Sequence, residues 1–292
     1  MVLKLKKKET PVSLAETYLG SVKKAWIIED ANKGTFYQKG ENVIIPIRLI
    51  NMGGITAEGY QTVPILGYRR IDHQCAGSSC VTPDIFEQQM KYLKDHGYHV
   101  ITMMDLLDFL NYKTALPAKS LVVTIEDRPI VAQNAVVQIL NKYGFPATFF
   151  LNVASMDHDQ NPMAWNLAKA LKAGGFEVGL QIPASDNILQ KKDNEDVSSH
   201  MARIKEMLSR LKKVMDTKLS QDTICLALPT DEDNTFLMNI CDQVGYKIVV
   251  SRQEGSNPFF ADPLALKTNS ISGQDTGTFI AKLKTFQAAP LR

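Results

Sequence analysis

The sequence predicts an α/β protein: a parallel sheet or barrel preceded by a small strand–helix–helix–strand module. Three observations carry this reading. From Val63 onward seven apolar strand candidates alternate with helical patterns. Residues 197–215 bear a single helical stripe. Near Pro46 a short basic segment gives way to a turn-rich connector.

The module comes first. Leu3-Lys4-Leu5-Lys6 alternates like a short strand, and Ser13 to Leu19 is a helical patch stopped by Gly20, a natural C-terminal cap residue. A second patch runs from Lys23 to Asn32, and Val43-Ile44-Ile45 is a strand ended by Pro46. Residues 1–46 are therefore one small domain, near the lower limit for folding alone. Residues 47–61, with Met52-Gly53-Gly54 and Glu58-Gly59, read as a linker, and residues 62–292 as the main domain. Its strand candidates are Val63–Tyr68, His99–Thr102, Leu121–Ile125, Ala147–Asn152, Glu177–Gln181, Ile224–Leu228 and Lys247–Ser251. Between them lie helical patterns at Pro83–His96, Val131–Tyr143, Met163–Ala173 and Thr235–Val244. The clearest stripe is Val197, Met201, Ile204, Leu208, Leu211 and Met215, spaced three and four apart.

Composition narrows the function. The 292 residues are 45% hydrophobic and 22% charged, which excludes wholesale disorder. A net charge of +2 gives no global field for nucleic acid or an anionic membrane. No apolar run approaches the ~20 residues of a membrane span. Lysines 4, 6, 7 and 8 interrupt any signal-peptide core, so the expectation is a cytosolic chain or a mature form whose export signal was removed.

In parallel α/β folds the chemistry sits at the C-terminal strand ends. Glu126 and Asp127 close the strand at Leu121–Ile125; they are either a general base beside a metal ligand or two solvated acids, with Arg128 able to neutralise Asp127. The second strand end, Gln181 to Ser185, offers no good zinc ligand by residue type. Of the five histidines (73, 96, 99, 158 and 200), His73 in the loop after the first strand is the one of interest. Cys75 and Cys80 either staple a loop or are free thiols, while Cys225 and Cys241 read as buried thiols. Neither a phosphate loop nor a Gly-x-Ser-x-Gly elbow is present.

Several segments then converge on one family. Val63-Pro64-Ile65-Leu66-Gly67-Tyr68, Val81-Thr82-Pro83 to Met90, Tyr92 to Tyr98, Leu116-Pro117 and Tyr143-Gly144-Phe145-Pro146-Ala147-Thr148-Phe149-Phe150 resemble the polysaccharide deacetylases (NodB homology, carbohydrate esterase family four) from about Thr62 to Ala289. The resemblance implies a distorted parallel (β/α) barrel. Residues 1–46 resemble a LysM domain, a binder of N-acetylglucosamine-containing glycans: Lys8-Glu9-Thr10 stands where that family has Gly-Asp-Thr, and Asn32 and Gly40 match its pattern. Glu9, Thr10 and Asn32 are accordingly the expected glycan-binding residues.

At the catalytic motifs the chain departs from the family. Where the deacetylases carry Thr-Phe-Asp-Asp-Gly, this sequence reads Thr124-Ile125-Glu126-Asp127-Arg128, so Glu126 holds the base position and Asp127 a metal-ligand position. Where the family's two histidine ligands stand, it has Gln181 and Ser185. The Arg-x-Pro-Tyr-Gly motif is reduced to Ala227-Leu228-Pro229-Thr230-Asp231, and no histidine follows His200 to act as general acid. A metal brings the pKa of its bound water from 15.7 toward ~7; one carboxylate, one amide and one hydroxyl make a poor cage for it. The expectation is a non-catalytic binder or scaffold for cell-wall glycan, without a cofactor, with a remnant pocket at Glu126, Arg128, Pro229, Thr230 and Asp231 and remnant ligand positions at Asp127, Gln181 and Ser185. Two rivals stand beside it: a divergent zinc-type N-deacetylase using Glu126, Asp127 and a ligand such as His73, and a protein-interaction scaffold. Both resembled families imply a periplasmic or extracellular place at the cell envelope.

Overall fold

The computed structural model describes residues 1–47, 51–75, 80–126, 133–153, 156, 162–182, 190–229, 235–273 and 275–289. Strand β1 (Val2–Lys4) pairs antiparallel with β2 (Asn42–Ile44), and between them lie α1 (Pro11–Leu19), a 3-10 turn at Val22–Lys24 and α2 (Ala25–Ala31). This is the strand–helix–helix–strand order read from the sequence. Thr10 caps α1 by accepting from Ser13 N while Ser13 Oγ accepts from Thr10 N, Pro11 opens the first turn, and Gly20 ends it at φ +72°. Leu5, Leu14, Ala15, Ile28, Val43 and Ile45 form the module's own small core.

The main domain is built on one curled sheet. Its strands are β3 (Ile55–Thr56), β4 (Gly59–Tyr68), β7 (His99–Ile101), β8 (Ser120–Ile125), β9 (Thr148–Leu151), β10 (Glu177–Gln181), β11 (Cys225–Ala227) and β12 (Ile248–Val250), with the short pair β5 (Arg70–Ile71) and β6 (Cys80–Val81) set apart. The order β12-β11-β10-β9-β8-β4 is parallel throughout, and β7 joins β8, also parallel. Three later strands, β13 (Ser256–Pro258), β14 (Asn269–Ser270) and β15 (Phe286–Ala288), all pair with β4. The segment 263–271 hydrogen-bonds to β12 on one side and to β4 on the other, which draws the two ends of the sheet together. Strand β4 begins at Gly59, inside the stretch read as linker.

Helices α3 (Pro83–Asp95), α5 (Gln133–Tyr143), α6 (Pro162–Ala173), α7 (Val197–Leu219) and α8 (Thr235–Val244) follow the strands as expected. Two helices were not anticipated: α4 (Met103–Leu110), capped by Thr102 and Asp105, and α9 (Thr276–Ala281). Both faces of the sheet are buried, as parallel sheets require. Leu66, Val123, Phe149, Leu180 and Val249 point toward the helix layer, while Ile65, Val122, Phe150, Cys225 and Ile248 point to the inner face, so each strand alternates with period two. Tyr68 anchors the helix side, packing edge-on to Phe86 at 4.9 Å and donating its hydroxyl to Gln89 Oε1 at 2.9 Å. No helix among the described residues is long and apolar enough to cross a membrane. Cys75 and Cys80 are joined as a disulfide, and Cys225 and Cys241 are buried thiols whose pKa burial pushes well up.

Candidate functional site

The alternation of the strands decides which side chains meet at the mouth of the barrel. Val122 and Thr124 precede Glu126 on the inner face of β8, Gly179 precedes Gln181 on the inner face of β10, and Gly67 follows Ile65 on that of β4. Glu126, Gln181 and Gly67 therefore converge at the C-terminal ends of their strands. Glu126 is fixed by its own N–H, which donates to Tyr68 O at 2.8 Å. The Gln181 amide donates from Nε2 to Glu126 Oε2 at 3.1 Å.

Burial pushes the Glu126 carboxyl above the ordinary range, and the guanidinium charges of Arg252 and Arg69 pull it partly back. Arg69 directly follows β4 and Arg252 lies two residues beyond β12. The direction of that shift has a consequence. A carboxyl raised in the folded state contributes stability below its unfolded pKa, near 4.5, and loses it as pH rises through the folded value. Glu126→Gln removes this dependence, so the melting temperature of the wild type relative to that variant should fall between pH 4.5 and 7. A difference that instead grows over the interval would show that the arginines dominate.

The other expected positions divide. Pro229 is described, half-buried just beyond β11, whereas Asp127, Arg128, Ser185, Thr230 and Asp231 lie outside the described residues. His73 is exposed in the loop after β5, His96 stacks on Tyr92, His99 starts β7, and His200 lies on α7 against Glu195 and Arg203; His158 is outside the described residues. The cavity of about 620 Å³ between Tyr60, Pro258, Lys267 and Lys284 lies along the first residues of β4, away from the strand ends that carry Glu126. In the N-terminal module, Glu9 Oε2 accepts from Ser13 Oγ at 2.9 Å and Thr10 caps α1. Asn32 is buried: Nδ2 donates to Ile28 O and Ile44 O, and Oδ1 accepts from Ile44 N, each at 2.7 Å. Its amide is committed to holding α2 against β2, so it is part of the module's framework.

The model of the polysaccharide deacetylase family matches residues 113–249. The barrel is polysaccharide deacetylase-like. The deacetylase-like chain is 24% identical over 236 residues to YxkH of Bacillus subtilis, named after the polysaccharide deacetylases, covering 79% of this chain and 80% of that one. Its fold is similar to a deacetylase of Streptococcus pyogenes solved in complex with acetate (TM-score 0.64, 22% identity, 76% of this chain and 98% of that one). It is also similar to a de-N-acetylase of Aggregatibacter actinomycetemcomitans (TM-score 0.65, 17% identity, 76% and 100%).

The metal that such a family implies finds no fitting set of ligands among the described residues. Among the described residues no group of three His, Cys, Asp or Glu side chains is arranged to hold an ion. At the first histidine position stands an amide whose NH2 faces a carboxylate, so the group that should give a lone pair to a cation instead donates a hydrogen bond to Glu126. Sequence reasoning found Glu126 and Gln181 but treated the Gln181 segment as silent, and it missed Arg69 and Arg252. Only the closing of the sheet brings those two guanidiniums, 183 positions apart in the chain, to bear on one carboxylate.

Proposed function

We propose that the deacetylase-like barrel is a non-catalytic binder or scaffold for N-acetylglucosamine-containing cell-wall glycan at the cell envelope, with residues 1–46 as a LysM-like second binding module. The observation that carries this reading is the Gln181–Glu126 hydrogen bond, which occupies the base and one ligand position with each other. In this arrangement the Gln181 amide turns its NH2 rather than a lone pair toward Glu126, and no imidazole stands at that strand end to hold a cation. Glu9 and Thr10, at the start of α1, mark the sugar-facing side of the module.

Calorimetric titration with the tetramer of N-acetylglucosamine tests the proposal. Saturable binding with micromolar to millimolar affinity is expected, unchanged by a chelator. Absence of binding at millimolar ligand would contradict it. The one feature favouring the rival divergent N-deacetylase is the raised pKa of Glu126, a property shared with general acids and bases.

A further inference from the structure

Three lysines, Lys267, Lys282 and Lys284, line the cavity of about 620 Å³ beside the first residues of β4. The backbone of each is held by side chains from elsewhere in the chain. Asn257, only 1% exposed, donates from Nδ2 to Lys267 O at 3.0 Å and accepts at Oδ1 from Lys267 N at 2.9 Å. Asn269, also buried, donates from Nδ2 to Lys282 O at 3.3 Å and accepts at Oδ1 from Gly255 N at 3.0 Å. The hydroxyls of Thr62 and Ser256 both donate to Lys284 O, at 3.1 and 2.8 Å. Gly255, at φ +148°, lets the Lys267 stem lie on its bare backbone, with Lys267 Cδ 2.9 Å from the point a Cβ would occupy.

These clamps fix where three cations start, and only one is neutralised inside the cavity. Lys282 Nζ lies 3.0 Å from Oε1 of Glu254, which shares the lining. Lys284 Nζ donates to the neutral Gln287 Oε1 at 3.1 Å, and among the described residues no carboxylate pairs with Lys267 or Lys284. Two ammoniums facing one cavity draw an anion. The volume falls within the roughly 300–1,000 Å³ of ligand pockets, far more than a bare inorganic anion fills. The rim says what the rest of the ligand is. Tyr60 lines the cavity and packs edge-on to Phe259 and Phe260 at 5.9 and 5.6 Å, and Phe259 meets Tyr112 at 6.2 Å. Phe260 and Tyr112 stay 60% and 55% exposed. Tyr112 is held at φ +56°, a left-handed conformation unfavourable to a bulky residue, in the turn that ends α4. Exposed rings beside a cavity of hydrogen-bond donors suit a cyclic ligand with apolar faces and polar edges, which is the surface of a sugar.

We propose that this cavity is a second saccharide site and takes an acidic sugar, whose carboxylate accepts from Lys267 Nζ and Lys284 Nζ while its ring lies against Tyr60 and the chain continues over Phe260. The inference rests on the glycan-binding reading and adds a separate face to it. Tyr60 and Thr62 of the cavity stand at the start of β4, whereas Glu126 hydrogen-bonds to its last residue, Tyr68, so the two sites use opposite ends of one strand.

Calorimetry with the full chain and two tetrasaccharides tests this. One alternates glucuronate and N-acetylglucosamine, and the other is the neutral N-acetylglucosamine tetramer. The acidic sugar should bind about five- to tenfold more tightly at low salt, with the preference shrinking as salt rises. Combining Lys267→Gln with Lys284→Gln should bring the two sugars to within about twofold of each other. Its melting temperature should stay within a few degrees of wild type, because the clamping bonds go to backbone atoms that glutamine retains. Phe260→Ala should weaken the acidic sugar several-fold. Equal affinity for both sugars, or a preference that survives in the double variant, would overturn the inference while leaving the glycan-binding proposal standing. No binding of either sugar would overturn both. Inorganic phosphate or polyglutamate competing as strongly as the acidic tetrasaccharide would overturn the assignment to a saccharide.

Discussion

Asn32→Ala is expected to unfold the N-terminal module while the barrel stays intact. The asparagine makes three hydrogen bonds of 2.7 Å, tying the end of α2 to the last residue of β2 through both its amide donor and its carbonyl. Alanine removes all three and strands the Ile44 N–H and carbonyl oxygens that they satisfied. At about 1 kcal/mol net per bond, and more for each buried group left unpaired, the loss is roughly 3–4 kcal/mol. A module whose core is six side chains has little beyond that to lose. Hydrogen exchange should show amides of residues 2–45 losing protection, with those of β8, β9 and β10 unchanged. Unaltered protection across the module would mean that the asparagine is replaceable.

The second large effect belongs to the barrel. A Cβ on Gly179 would sit 2.7 Å from Phe150 Cε1 and 3.1 Å from Cys225 Cβ, and Phe150 is fully buried on the inner face. Gly179→Val therefore forces β10 away from β9 or drives the ring from its rotamer, at a cost of about 2–3 kcal/mol. For a domain of this size that corresponds to a fall in melting temperature of roughly 5–10 °C. Because Gln181 is the next inner-face residue on the same strand, the variant should also disturb the Gln181–Glu126 contact and shift the pH dependence of stability described above. A variant melting within a degree of wild type would show that the inner face is looser than its packing indicates.

Much of this architecture was legible because parallel strands buried on both faces are short apolar runs. Leu121–Ile125 stops at an acidic pair, and Glu177–Gln181 lies between the Gly174-Gly175 turn and Pro183, so charge and turn residues mark their limits. The stripe from Val197 to Met215 was equally plain, and α7 runs from Val197 to Leu219. Helix α4 was hidden because the apolar run of β7 continues into Met103-Met104 without a break. The signal that separates them is the Thr102–Asp105 capping box. Strands β13 and β14 were invisible for a different reason. Ser-Asn-Pro and Asn-Ser have no strand preference, and they are extended only because β4 offers them partners.

The site follows the same division. Glu126 and Gln181 could be placed at strand ends from their neighbours. That they bond to each other depends on both residues sharing the inner face, which spacing suggests only once the register is known. Asn32 matched a sugar-binding pattern by type, yet its burial assigns it to the module's framework.

The measurement that bears most directly on the central claim is acetate release from N-acetylglucosamine oligomers by the purified full chain, assayed with and without saturating zinc or cobalt. Release indistinguishable from a heat-inactivated control in every condition is the predicted result, together with metal content well below one ion per chain after dialysis. Steady metal-dependent turnover that Asp127→Ala abolishes would contradict it.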